Sequence, residues 1–192
     1  MRFRFLLAAA AVLIPPLLAP ARASGQPYAD PGTGAGLLGF VSRTPDAAGP
    51  TFLGGAQVLT RFTGVLGVEL FIGYGSCRYE EDGTTVLGVQ QLPVQLSALV
   101  YLLPNLRVQP YLLGGVGYYR IWATGEGPLA AQGRTIENKF AFHAGAGIDV
   151  RTGRAVSIRV EGRYVFLDVD AVTQIGKSAN SWQAGAGFNV YF

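Results

Sequence analysis

Apolar side chains alternate with polar or small ones in about eight runs between residue 34 and Phe192, and no stretch after the first 24 residues has the roughly 20 apolar residues of a spanning helix. Alternation at every second position puts the two kinds of side chain on opposite faces of a strand. The chain therefore reads as all-β. The runs fall near residues 34–43, 51–60, 65–78, 85–102, 107–123, 138–151, 155–168 and 180–192. Tight turns are expected at 61–64, 103–106 and 151–154, and longer polar or Gly-rich loops at 44–50, 79–84, 124–137 and 168–179. Short connections on one rim and longer ones on the other are the pattern of an eight-stranded antiparallel up-and-down transmembrane β-barrel.

The beginning of the chain supplies an export signal. Arg2 and Arg4 precede an apolar run from Phe5 to Leu18, and Ala21-Arg22-Ala23 has the small-x-small form of a cleavage site. We expect a signal peptide over residues 1–23, cut after Ala23, followed by a barrel domain over 24–192. Three of the fifteen Lys and Arg lie in that leader and no acid does, which leaves twelve bases against twelve acids in the mature part. A neutral mature chain carries no electrostatic footprint for nucleic acid. Cys77 is the single cysteine, so no intrachain disulfide forms despite the export route.

Facing follows from where the charges fall. In the seventh run Val156, Ile158, Val160, Tyr164 and Phe166 share one face, and Ser157, Arg159, Glu161 and Arg163 the other. In the sixth, Phe140, Phe142, Ala144, Ala146, Ile148 and Val150 oppose Lys139, His143, Gly145, Gly147, Asp149 and Arg151. Together with the signal, long strands and an aromatic at Phe192, this favours lipid outside and a lumen packed with side chains. The expected lumenal polar network comprises Glu69, Gln95, His143, Asp149, Arg159, Glu161 and Arg163, with Lys139 and Arg151 as further partners for the acids. Trp122 and Trp182 are expected at the loop-side membrane interface with Tyr79 and Phe166 nearby, and Tyr101, Phe62 and Phe192 at the turn side.

Three segments carry a resemblance: Pro110-Tyr111-Leu112-Leu113-Gly114-Gly115-Val116-Gly117-Tyr118, Phe142-His143-Ala144-Gly145-Ala146-Gly147-Ile148-Asp149, and Arg159-Val160-Glu161-Gly162-Arg163-Tyr164. With the final Phe192, the chain resembles the small outer-membrane β-barrel domain shared by OmpA-like, OmpX-like and OmpW-like proteins of the porin family. The resemblance implies the outer membrane of a Gram-negative bacterium, contact with lipid and lipopolysaccharide, passage by periplasmic chaperones, and insertion by the barrel assembly machinery. The strand bearing Phe188, Val190 and Phe192 is similar to the assembly signal, although Val190 stands where many members have an aromatic. Unlike full-length OmpA-like proteins, the chain is expected to lack a peptidoglycan-binding domain, so the resemblance does not imply anchoring to the cell wall.

Some barrels of this size modify the acyl chains of lipid A, using a Ser nucleophile activated by a base. Here the single histidine, His143, is followed two residues later by Gly145, where the deacylase-like pattern has Ser. Gly114-Gly115-Val116-Gly117 lacks the spacing and the following helix of a phosphate cradle, and is expected instead to make room for bulky neighbours such as Tyr119 and Arg120 or to allow coiling of the sheet. One His and one Cys give no basis for a transition-metal site. Glu80-Glu81-Asp82 reads as a solvated acidic tip, with cation bridging to lipopolysaccharide phosphates as its sharper alternative. We expect a monomeric barrel without cofactor, metal or catalytic centre, in a structural or surface-interaction role. The alternative is a narrow channel or carrier for small solutes, hydrophobic ones among them; a lipid A acyl-modifying enzyme stands third.

Overall fold

Eight antiparallel strands form from the alternating runs in the computed structural model, which describes residues 32–192 apart from Asp82 and Arg154. They are β1 (Gly32–Arg43), β2 (Thr51–Arg61), β3 (Leu66–Glu81), β4 (Thr84–Tyr101), β5 (Val108–Gly125), β6 (Arg134–Arg151), β7 (Val156–Phe166) and β8 (Ser181–Tyr191). Each pairs with its sequence neighbour and β8 pairs with β1, so the sheet closes into an up-and-down barrel. Closure leaves no open sheet edge, the condition for burying strands in lipid. The expected leader and its cleavage site after Ala23 lie outside the described residues.

Two of the expected long loops are shorter than the composition suggests. Glu81 pairs with Thr84, so the connection expected over 79–84 is a two-residue turn containing Gly83 at φ +75°. A bulge at the Tyr79/Glu80 step absorbs the extra residue on the β4 side. Likewise β6 starts at Arg134 and not near 138, because Arg134, Thr135, Ile136 and Glu137 continue the ladder against β5. A 3-10 turn over Gly127–Gln132 closes that pair. Polar residues here extend the strands above the apolar zone, where a strand has no need of alternation. The 167–180 connection remains long and includes one helical turn, α1 (Asp170–Thr173).

The predicted faces are those observed for β6 and β7. Ile158, Val160, Phe140 and Phe142 are exposed, whereas Arg159, Glu161, Arg163 and His143 are buried. Exposed Leu37, Phe52, Ile72, Leu96, Leu112, Val116 and Phe188 continue the apolar face around the barrel. An apolar belt on this scale would be a liability in water and is the lipid-facing surface of a membrane barrel. Tyr79 and Tyr101 correct the expected aromatic girdle: both are only 1% exposed and point into the lumen. They occupy odd-numbered positions of strands whose odd positions face inward. Phe62, Phe166, Trp182 and Phe192 are exposed.

Candidate functional site

The interior is filled in three layers. At mid-barrel, Glu69 from β3 meets Arg159, Glu161 and Arg163 from β7, four charged side chains with no exposed area. Arg159 contacts Glu69 directly and lies 3.7 Å from Glu161 Oε2. Arg163 contacts Glu161 directly and lies 3.3 Å from Glu69 Oε1. Each cation thus sees both anions, and the cluster is formally neutral. Buried charges persist only when paired and hydrogen-bonded, and the neighbours meet part of that need: Arg159 Nε and Nη2 and Arg163 Nε meet no partner among the described residues. Arg159 donates to Gln57 Oε1 at 3.2 Å, Gln57 donates to Asn189 Oδ1 at 2.8 Å, and the Tyr111 hydroxyl donates to Glu161 Oε2 at 2.7 Å. Arg163 donates to Gln95, which in turn donates to the Tyr119 hydroxyl. The Arg163 guanidinium also stacks 4.6 Å from the Phe40 ring.

Glycine makes room for this cluster. A Cβ at Gly147 would lie 2.3 Å from the Tyr111 hydroxyl and 2.8 Å from Glu161 Cβ. At Gly117 it would fall 2.7 Å from the Tyr119 ring. Of the two neighbours expected for the 114–117 segment, Gly117 makes room for Tyr119, whereas Arg120 points outward.

The turn-side layer is a second polar plug. Arg61 donates to Gln109 Oε1 at 2.6 Å and to the Gly64 carbonyl at 2.6 Å, with its guanidinium 3.9 Å from the Tyr101 ring. Asp149 accepts from the Tyr191 hydroxyl at 3.1 Å, and Arg151 stacks 3.7 Å over the Tyr191 ring. Arg61 is the last residue of β2 at an inward position, not part of the expected 61–64 turn. Gln57, Arg61, Gln109, Tyr111 and Asn189 were missed as interior residues. The inward parity that marks Arg159 also marks each of them.

On the loop side the filling becomes apolar. Tyr79, Val89, Tyr119, Ile121, Val165, Leu167, Val169 and Val172 pack together, the last three from the connection containing α1. This connection is latched across the mouth. Glu137 accepts from the backbone N–H groups of Asp170 at 2.9 Å and Ala171 at 3.0 Å, and Asp46 accepts from Ser178 N–H at 2.9 Å. Lys139 bonds Asp170 here and not an acid of the mid-barrel cluster, because its position lies above that layer. Arg151 likewise forms no ion pair among the described residues.

Residues 5–192 match the family described as outer membrane protein β-barrel domain. The chain belongs to this family. No curated protein matches it. Among solved structures, this outer-membrane barrel is similar to OprG from Pseudomonas aeruginosa, with a TM-score of 0.66 and 17% identity over 88% of this chain and 99% of that one. The N-terminal β-barrel domain of Pseudomonas aeruginosa OprF gives 0.56 and 16% over 85% and 100%. Ail, the attachment invasion locus protein of Yersinia pestis in complex with the heparin analogue sucrose octasulfate, gives 0.55 and 14% over 84% and 97%. Identities this low establish the fold alone.

His143 of this outer-membrane barrel bonds Ser97 Oγ through Nε2 at 2.8 Å. Both residues are buried, and His143 Nδ1 meets no partner among the described residues. A serine-histidine pair therefore exists across Gly115, yet no acid orients the ring as in a triad. Gly115 is the spacer: a Cβ there would lie 2.9 Å from His143 Nε2. Of the two expected interface tryptophans, Trp182 is exposed against Tyr164, with ring centroids 4.7 Å apart. Trp122 faces outward on β5 between Arg120 and Arg134.

Proposed function

We propose that this outer-membrane barrel is a closed, non-catalytic protein with a structural or surface-interaction role. The carrying observation is the lumen, in which the Glu69-Arg159-Glu161-Arg163 cluster lies between the Arg61–Gln109 plug and the apolar layer under residues 167–180. Such a wall-to-wall filling gives hydrated ions no path. The Ser97–His143 pair lies inside that filling, out of reach of an acyl chain, which supports a hydrogen-bonding role for it. In this reading the polar network of Glu69, Gln95, His143, Asp149, Arg159, Glu161 and Arg163 holds the barrel rigid. The capture of a sulfated saccharide analogue by Ail supports a surface-interaction role for a barrel of this shape.

We further propose, from the sequence, export through a signal peptide cut after Ala23 and chaperone-assisted insertion by the barrel assembly machinery, with Phe188, Val190 and Phe192 on the strand it engages. A second reading, a narrow channel or carrier for small solutes, hydrophobic ones among them, draws on one feature. An interior cavity of about 20 Å³ and an outer groove beside β2 and β3 share Thr51, Cys77 and Val89 as lining.

Planar-bilayer recording of the purified, refolded chain tests the proposal. The parent should be silent. Arg159→Ala combined with Glu161→Ala should lower stability or open brief, irregular currents. Steady unitary currents in the parent, with selectivity altered by that pair, would overturn the closed reading and favour a channel.

A further inference from the structure

Arginine on the lipid face of a barrel is costly at mid-membrane and tolerated near the interfaces. Along β5 the outward positions run through Val108, Leu112, Val116 and Tyr118 before the first charge, Arg120, and then Trp122. From Val108 to Tyr118 a strand rising about 3.3 Å per residue and tilted about 40° climbs about 25 Å, the height of the apolar band. Arg120 therefore stands just beyond that band on the loop side. On β6 the exposed Phe142 and Phe140 end at the same level, followed by Asn138, Ile136 and Arg134.

Both guanidinium groups turn toward one indole. Arg120 Cζ lies 5.6 Å and Arg134 Cζ 5.8 Å from the Trp122 ring centroid. Both arginines are exposed, and neither makes an ion pair among the described residues. Two acids lie near: Glu126, over Gly88 and separated from Arg134 by Thr124 in the ladder, and Glu137, opposite Ile121 and taken up by the Asp170 and Ala171 N–H groups. Arg78 lies opposite Gly88 on the other side of the ladder. What remains is two exposed cations beside one aromatic ring at headgroup height, without an ion-pair partner among the described residues.

The geometry points to a binding site, formed by Arg120, Trp122 and Arg134, for the phosphorylated sugar headgroup of an outer-leaflet glycolipid, the lipid A moiety of lipopolysaccharide. Guanidinium forks match phosphate oxygens in paired hydrogen bonds. An indole at headgroup level offers an amphipathic ring against which a saccharide packs. The inference rests on the reading that the longer loops face the cell exterior, and it deepens the surface-interaction role without depending on whether the lumen conducts.

The test uses the refolded full chain with Trp182→Phe, so that Trp122 is the one remaining indole of the two. Lipid A is titrated into the protein in amine-oxide micelles, and Trp122 emission is followed. A saturable change is expected, weakening with added salt. Arg120→Gln with Arg134→Gln should shift its midpoint about tenfold or more while heat-modifiable migration is unchanged. Enzymatically dephosphorylated lipid A and phosphatidylglycerol should each bind the parent far more weakly. Equal titration of parent and double variant, or of lipid A and either control lipid, would overturn the site. The lipid comparison needs only the parent protein, so it decides the matter even where the double variant fails to refold. A failure here leaves bilayer silence, and hence the closed reading, standing.

Discussion

Arg159 brings a full positive charge to a position with no solvent, and its two carboxylate neighbours belong to different strands. Removing it leaves Glu69 buried beside Arg163 alone, so Arg159→Ala should destabilise the barrel by about 3–5 kcal/mol, measured by urea unfolding in vesicles. The same substitution in a Glu69→Gln background should cost at least about 1 kcal/mol less, because the stranded anion is gone. Additive losses would mean that the two side chains do not form the pair. At this scale the sequence was legible wherever parity could be counted from a charged strand: Arg159, Glu161 and Arg163 could be assigned to one face without any structure. Tyr79 and Tyr101 were misread because aromatic residues near a strand end suit either an interface or a lumen, although each shares the odd parity of the expected lumenal Glu69 or Gln95 on its own strand. Which acid each arginine meets was illegible, since Glu69 lies 90 residues from Arg159 in the chain and meets it only through barrel closure.

Strands and loops behave differently. The 167–180 connection is held by apolar side chains beneath and by polar latches at its edges, of which Glu137 is the most economical, accepting from two successive N–H groups. Glu137→Ala should therefore loosen this segment without unfolding the barrel. Limited proteolysis of the refolded protein should cut within 167–180 faster than in the parent, while heat-modifiable migration stays unchanged. Resistance equal to the parent would show that Leu167, Val169 and Val172 hold the connection unaided. All eight strands could be placed from alternation to within a few residues, except where the ladder outlasts the apolar pattern. Arg134 to Glu137 are such a case: above the membrane zone, backbone pairing continues with polar residues on both faces, and periodicity has nothing to report. The helical turn at Asp170–Thr173 lies beyond what four residues of sequence can signal.

Closure of the whole molecule depends on the β1–β8 seam, where Gly36 pairs with Asn189. A Cβ at Gly36 would stand 1.8 Å from the Phe188 carbonyl oxygen, so the seam cannot accept a larger residue without moving backbone. Gly36→Val should sharply reduce the heat-modifiable, protease-resistant form after refolding. Gly39→Val is the control, because a Cβ there meets nothing within 4 Å and points outward. Equal folding of both variants would contradict the seam geometry. The account as a whole stands on the assignment of lipid to the outer face and charge to the lumen. Its most direct measurement places single cysteines along β7 in a Cys77→Ala background, at Ser157, Ile158, Val160 and Val165, and compares thiol labelling and quenching by brominated acyl chains in vesicles. Labels at Ile158→Cys and Val160→Cys should be strongly quenched, whereas Ser157→Cys and Val165→Cys should react slowly and escape quenching. Strong quenching at 157 and 165 with none at 158 and 160 would invert the faces and contradict the account.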